Sequence, residues 1–165
     1  MGQVAVVALR AVLVMLLAGS VFVLTVIVPA MFLDTEDPSG ELSHLRVPII
    51  VIFALGVVCA QTVLVCVWRL LTMMRRGTVF SHAAFRYVDV ITGAFVAAAL
   101  LVFALGAILA PGEAVAPGVV LLLGGVGLGI LGVGLIVLVL RMLLAQAVAR
   151  DVEATAMRAE LDEVI

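Results

Sequence analysis

The run from Ala114 to Leu140 reads AVAPGVVLLLGGVGLGILGVGLIVLVL and closes on Arg141. It holds 27 residues without one charged side chain. A helix needs ~20 apolar residues to cross ~30 Å of hydrocarbon. The run does not alternate in polarity, and it is far longer than the ~10 residues of a membrane strand. Amides in lipid have no water to bond, so such a segment must satisfy its own backbone as a helix. Three more charge-free runs precede it, at 11–33, 47–68 and 90–112. Together they predict an all-α integral membrane protein, a four-helix bundle in a single domain over residues 1–165.

Composition excludes the other classes. Hydrophobic residues are 66% and charged residues 12%, against a charged share of ~25% in soluble domains. A soluble enzyme, a disordered tail and a disulfide-rich secreted domain do not fit. The run 11–33 is too long for a signal peptide's apolar core of ~7–15 residues, so it is read as a retained span. Cys59 and Cys66 lie seven residues apart in one run. On a helix that is ~10 Å of rise, beyond the ~7 Å reach of a disulfide. They read as packing residues.

Charge position sets the topology. All nine basic residues are Arg. The connection 34–46 carries Asp34, Glu36, Asp37 and Glu41 with Arg46 alone, and the connection near Glu113 has no basic residue. The other eight are Arg10, then Arg69, Arg75, Arg76 and Arg86 in the connection 69–89, then Arg141, Arg150 and Arg158 in the tail. The positive-inside bias puts these eight in the cytoplasm, with both termini. The expected location is the bacterial plasma membrane, with 34–46 as an extracytoplasmic acidic loop. Trp68 and Tyr87 fall at the cytoplasmic boundary, where amphipathic rings settle. A net charge of −2 gives no sign of direct nucleic-acid binding.

The segment 69–89 reads as a cytoplasmic basic helical hairpin. Gly77 suits a helix C-cap, Ser81 an N-cap, and Phe80 with Phe85 a hydrophobic staple. Pro38-Ser39-Gly40 is turn chemistry. Pro48 and Pro117 sit near helix starts, whereas Pro29 lies inside the first span and is expected to kink it, freeing the Thr25 carbonyl. From 141 to 165 the chain predicts an amphipathic cytoplasmic helix. Leu144, Val148 and Val152 start an apolar stripe, and Met157, Leu161, Val164 and Ile165 extend it. Its acidic polar face suits a protein partner better than an anionic membrane.

Few residues carry chemistry. Gly118, Gly125 and Gly132 repeat every seven residues and Gly125 with Gly129 forms GxxxG, so a close-packing seam is expected there. Gly93, Ala97 and Ala104 in the third span, or Ala99 and Gly106, offer a surface to receive it within the chain. Pairing of two copies is the alternative. Gln61 is the most polar residue within a span, and packing against a neighbouring helix is its expected role. His44 and His82 fall on opposite sides, which excludes a zinc site built from both. No catalytic, cofactor-binding or metal-ligating set is visible, and no enzyme activity is expected. Arg10, Arg69, Asp89 and Arg141 each end a different span at one depth. Either Asp89 shares an ion pair with Arg69 or Arg141, or the four are separate anchors that snorkel to water. Arg75, Arg76 and Arg86 are candidate contacts for anionic lipid headgroups.

Several stretches together carry a family resemblance. They are Leu45-Arg46-Val47-Pro48, then Gln61, Val67-Trp68-Arg69-Leu70-Leu71-Thr72 and Arg76-Gly77-Thr78-Val79-Phe80-Ser81. Ala84-Phe85-Arg86-Tyr87-Val88-Asp89, Arg141-Met142-Leu143-Leu144-Ala145-Gln146-Ala147 and the ending Ala159-Glu160-Leu161-Asp162-Glu163-Val164-Ile165 complete the set. The chain resembles actinobacterial members of the DUF2975 family, bacterial membrane proteins with four spans. The resemblance implies that topology and supplies no reaction. It also implies a link with small helix-turn-helix regulators, whose genes neighbour some members. The functional expectation is a non-enzymatic regulatory or scaffolding protein. Its working surface would be the hairpin and the C-terminal helix, with Glu160, Leu161, Asp162, Glu163, Val164 and Ile165 as a partner surface. The alternatives are a small transporter or channel, or an accessory subunit of a larger complex.

Overall fold

The computed structural model describes residues 2–33, 45–75, 82–111 and 115–164. Helix α1 (Gly2–Phe22) passes through a π-helical turn (Val23–Ile27) into α2 (Val28–Leu33). Then come α3 (Arg46–Arg75), α4 (His82–Leu109) and α5 (Pro117–Val164). Four segments are long and apolar enough to cross a membrane: Val7–Leu33, Arg46–Met73, Phe85–Leu109 and Pro117–Arg158. The chain is an all-α membrane protein. The acidic loop 34–44 with His44, the residues 76–81 with Arg76, Gly77, Phe80 and Ser81, and Glu113 and Ile165 all lie outside the described residues. So do the side chains of Arg75, Glu160, Leu161, Asp162, Glu163 and Val164.

The helices pack in chain order. The α1–α2 arm lies on α3, α3 on α4, and α4 on α5. The fully covered core is small, with Ile50 and Ala99 only 1% exposed. The outer surface is apolar instead: Met15 is 74% exposed and Leu121 80%. This inverts a soluble protein, and lipid supplies the missing apolar contact.

Pro29 explains the π-helical turn. Its ring and missing N–H disrupt the i→i−4 ladder. Val28 N–H donates to the Val23 carbonyl, one residue further back than in an α-helix. The kink expected at Pro29 is thus taken up as a widened turn just before it. The Thr25 hydroxyl donates to the Val21 carbonyl at 2.8 Å. The last turn of α2 leaves carbonyls without partners, and Arg46 Nη2 donates to one of them, Met31 O, at 2.8 Å. That bond ties the end of the first span to the start of the second.

The close approach between α4 and α5 uses a different glycine face from the one expected. A Cβ on Gly127 would stand 3.0 Å from the Phe103 ring, and one on Gly134 3.0 Å from Phe95 Cβ. A Cβ on Gly106 would lie 3.9 Å from Leu123 Cβ, an ordinary contact. These three pairs share one antiparallel register. Gly118, Gly125, Gly129 and Gly132 have open space at the same position, and so does Gly93. Both glycine sets repeat every seven residues, so period alone does not choose between them. The choice comes from α4, whose Phe103 ring and Phe95 Cβ lie where a side chain at 127 or 134 would stand. On α4, Ala99 and Gly106 are buried there, and Ala97 and Ala104 are exposed.

Beyond Arg141, helix α5 runs on without a break to Val164. The apolar stripe of Leu144, Val148 and Val152 does not extend into Met157. Five residues turn a helix by ~500°, which leaves Met157 ~140° round the axis from Val152. Both side chains are exposed, at 65% and 62%. The helix therefore presents apolar groups on two faces.

Gly134→Leu should destabilise the protein by about 1–3 kcal/mol through overpacking against Phe95. Gly125→Ala should stay within about 0.5 kcal/mol of the parent. Reversible unfolding in mixed micelles measures both.

Candidate functional site

Hydroxyls in the spans are used up locally. Ser20 donates to Leu17 O, Thr62 to Val58 O, Thr72 to Trp68 O and Thr92 to Val88 O, all between 2.9 and 3.0 Å. Each bond runs back along its own helix, as hydrocarbon demands of a group with no water. The hydroxyl protons are thereby spent within the helices, leaving only lone pairs for other partners.

Gln61 is different. It sits near the middle of α3, and its Nε2 is buried with no hydrogen-bond partner. An orphaned buried donor costs about 1–3 kcal/mol. Among the described residues none accepts a hydrogen bond from this Nε2.

Polar chemistry gathers at the end of the bundle where α1 begins, α3 and α4 meet their connection, and α5 leaves its apolar run. Two arrangements form there rather than one shared cluster. In the first, Arg141 Nη2 donates to Asp89 Oδ2 at 2.8 Å, bridging α5 and α4. The Arg141 guanidinium also lies 6.0 Å from the Phe85 ring centroid. Asp89 pairs with Arg141 and not with Arg69, which is exposed. The two side chains are 31% and 49% exposed, so screening keeps this pair modest.

In the second arrangement, Arg10 of α1 lies over the Trp68 ring of α3, 5.6 Å from its centroid. Its Nη2 donates to Thr72 Oγ1 at 3.4 Å. Arg10 meets no carboxylate among the described residues, and its Nε is buried without a partner. Arg86 is exposed on α4. Position in sequence had marked Arg10 and Arg141 as span ends. It carried no signal for their aromatic partners, because Trp68 and Phe85 reach them from neighbouring helices.

A family model described as protein of unknown function (DUF2975) matches residues 30–165, most of the chain, and the chain belongs to that family. No curated protein and no solved structure matches it.

A double-mutant cycle on Asp89→Asn and Arg141→Gln should return a coupling of about 0.2–1 kcal/mol, falling as salt is added. Gln61→Leu should leave thermal stability unchanged or raise it, since it removes the orphaned amide. A drop in melting temperature would show that the amide has a partner.

Proposed function

We propose that this chain is a non-enzymatic regulatory or scaffolding protein of the bacterial plasma membrane. Both termini face the cytoplasm, and the hairpin 69–89 with the helix 141–165 forms the working surface. The observation that carries this reading is the unbroken passage of α5 from its apolar run to Val164. That passage leaves Val152 and Met157 uncovered on a segment that also bears Arg150, Glu153 and Arg158. A charged helix with bare apolar side chains on two faces suits a protein partner better than a lipid surface. A cytoplasmic helix-turn-helix regulator is the kind of partner that family gene neighbourhoods favour. The outward face with Gly118, Gly125, Gly129 and Gly132 is open to a second copy within the membrane.

A second reading, a small transporter or channel, draws on one observation. The Gln61 Nε2 is buried and unpartnered in the middle of a span, where a polar group facing a bundle interior marks a pathway in many carriers. No charged side chain accompanies it in the runs 11–33, 47–68, 90–112 and 114–140, which favours the first reading.

Removing the tail from Arg150 onward should delete specific neighbours from a native-membrane cross-linking profile while the spans still insert. An unchanged profile would defeat the proposal for the tail. With Cys59 and Cys66 replaced by Ala, an Ile165→Cys label should react with an impermeant thiol reagent only after the membrane is opened. Reaction in intact cells would reverse the topology.

A further inference from the structure

The two boundary arginines differ in one respect that has a chemical consequence. Arg141 has an anion, the Asp89 carboxylate at 2.8 Å. Arg10 has none among the described residues. A guanidinium offers five N–H donors in a planar fork. At Arg10 one of them reaches Thr72 at a long 3.4 Å, and Nε is enclosed without a partner, as the Arg141 Nε also is, so the missing anion is what sets Arg10 apart. The Thr72 hydroxyl spends its own proton on the Trp68 carbonyl, so it meets Arg10 through a lone pair and adds no negative charge. The guanidinium is held against the Trp68 face and is half-buried. The next residue, Arg69, is exposed and adds a second positive charge to the same turn of α3.

A half-buried cation without a counter-charge is costly, and a ring face compensates only part of the cost. Its position at the end of the span puts it at the depth of headgroup phosphates. A planar fork matches two phosphate oxygens at once, which a lysine does not. We propose that Arg10, seated on Trp68 and assisted by Arg69, is a binding site for a phosphate group, the phosphodiester of an anionic phospholipid or a free phosphate. The site ties α1 to α3 through the ligand, as Asp89 ties α4 to α5 through a side chain. It shares Arg69 and Thr72 with the hairpin 69–89 but needs no protein partner there, so it stands or falls independently of the proposed function.

Trp68 is the only tryptophan in the chain, so its fluorescence reports on this site. The full-length protein in neutral detergent is titrated with short-chain phosphatidylglycerol, with phosphatidylcholine and with inorganic phosphate. Phosphatidylglycerol should give a saturable Trp68 change that weakens with added salt, and phosphatidylcholine should give none at the same concentrations. Arg10→Gln should weaken binding about fivefold, the share of one cation near an anionic surface. Arg10→Lys should lose less, and Arg150→Gln, on the part of α5 beyond its apolar run, should bind like the parent. Competition by inorganic phosphate would identify free phosphate as a ligand of the same site, and its failure would assign the site to lipid. Equal responses to the two lipids in the unmodified chain would overturn the proposal, whether or not the variants fold. An Arg10→Gln curve that overlays the parent would do the same.

Discussion

A peptide group in hydrocarbon has no partner but its own chain, and each segment here is shaped by that constraint. The apolar runs become helices because nothing else closes their hydrogen bonds. The same demand reaches the side chains, since the described Ser20, Thr25, Thr62, Thr72 and Thr92 hydroxyls each turn back to a carbonyl of their own helix. Where the ladder is interrupted, the repair is local. The widened turn at 23–27 absorbs Pro29, and Arg46 reaches across to the Met31 carbonyl at the end of α2.

Once the backbone is satisfied, helices in lipid have no hydrophobic drive to associate, and fit between surfaces decides how they pair. The α4–α5 contact shows the result: Phe95 and Phe103 fill hollows at Gly134 and Gly127 in one antiparallel register. Polar links then fasten one end of the bundle, with α1 to α3 through Arg10 and Trp68, and α4 to α5 through Asp89 and Arg141. The interior of the spans is left to apolar packing, with Gln61 as the exception.

The helices were legible because length and the absence of charge suffice to define them. The boundary residues were legible as span ends, since Arg and Asp abruptly close apolar runs. Which of them meet was open, because Asp89 has Arg69 and Arg141 as equally plausible mates until the helices are placed side by side. The glycine face was read in the wrong register for the contact within the chain. Gly118/Gly125/Gly132 and Gly127/Gly134 have the same seven-residue spacing, and the deciding residues, Phe95 and Phe103, belong to another helix. The stripe on α5 was extended to Met157 by composition, where helical rotation carries that residue to a different side.

Helix α5 is a single rod of 48 residues, clamped near its middle by the Asp89–Arg141 pair. The part beyond Arg141 is an arm of ~35 Å at ~1.5 Å per residue. A pivot of ~10° at the clamp swings the tip by about 6 Å on an arm of that length. Small changes in how the last span leans in the bilayer, from thickness or lateral pressure, are thereby magnified at its far end into displacements as large as a side chain.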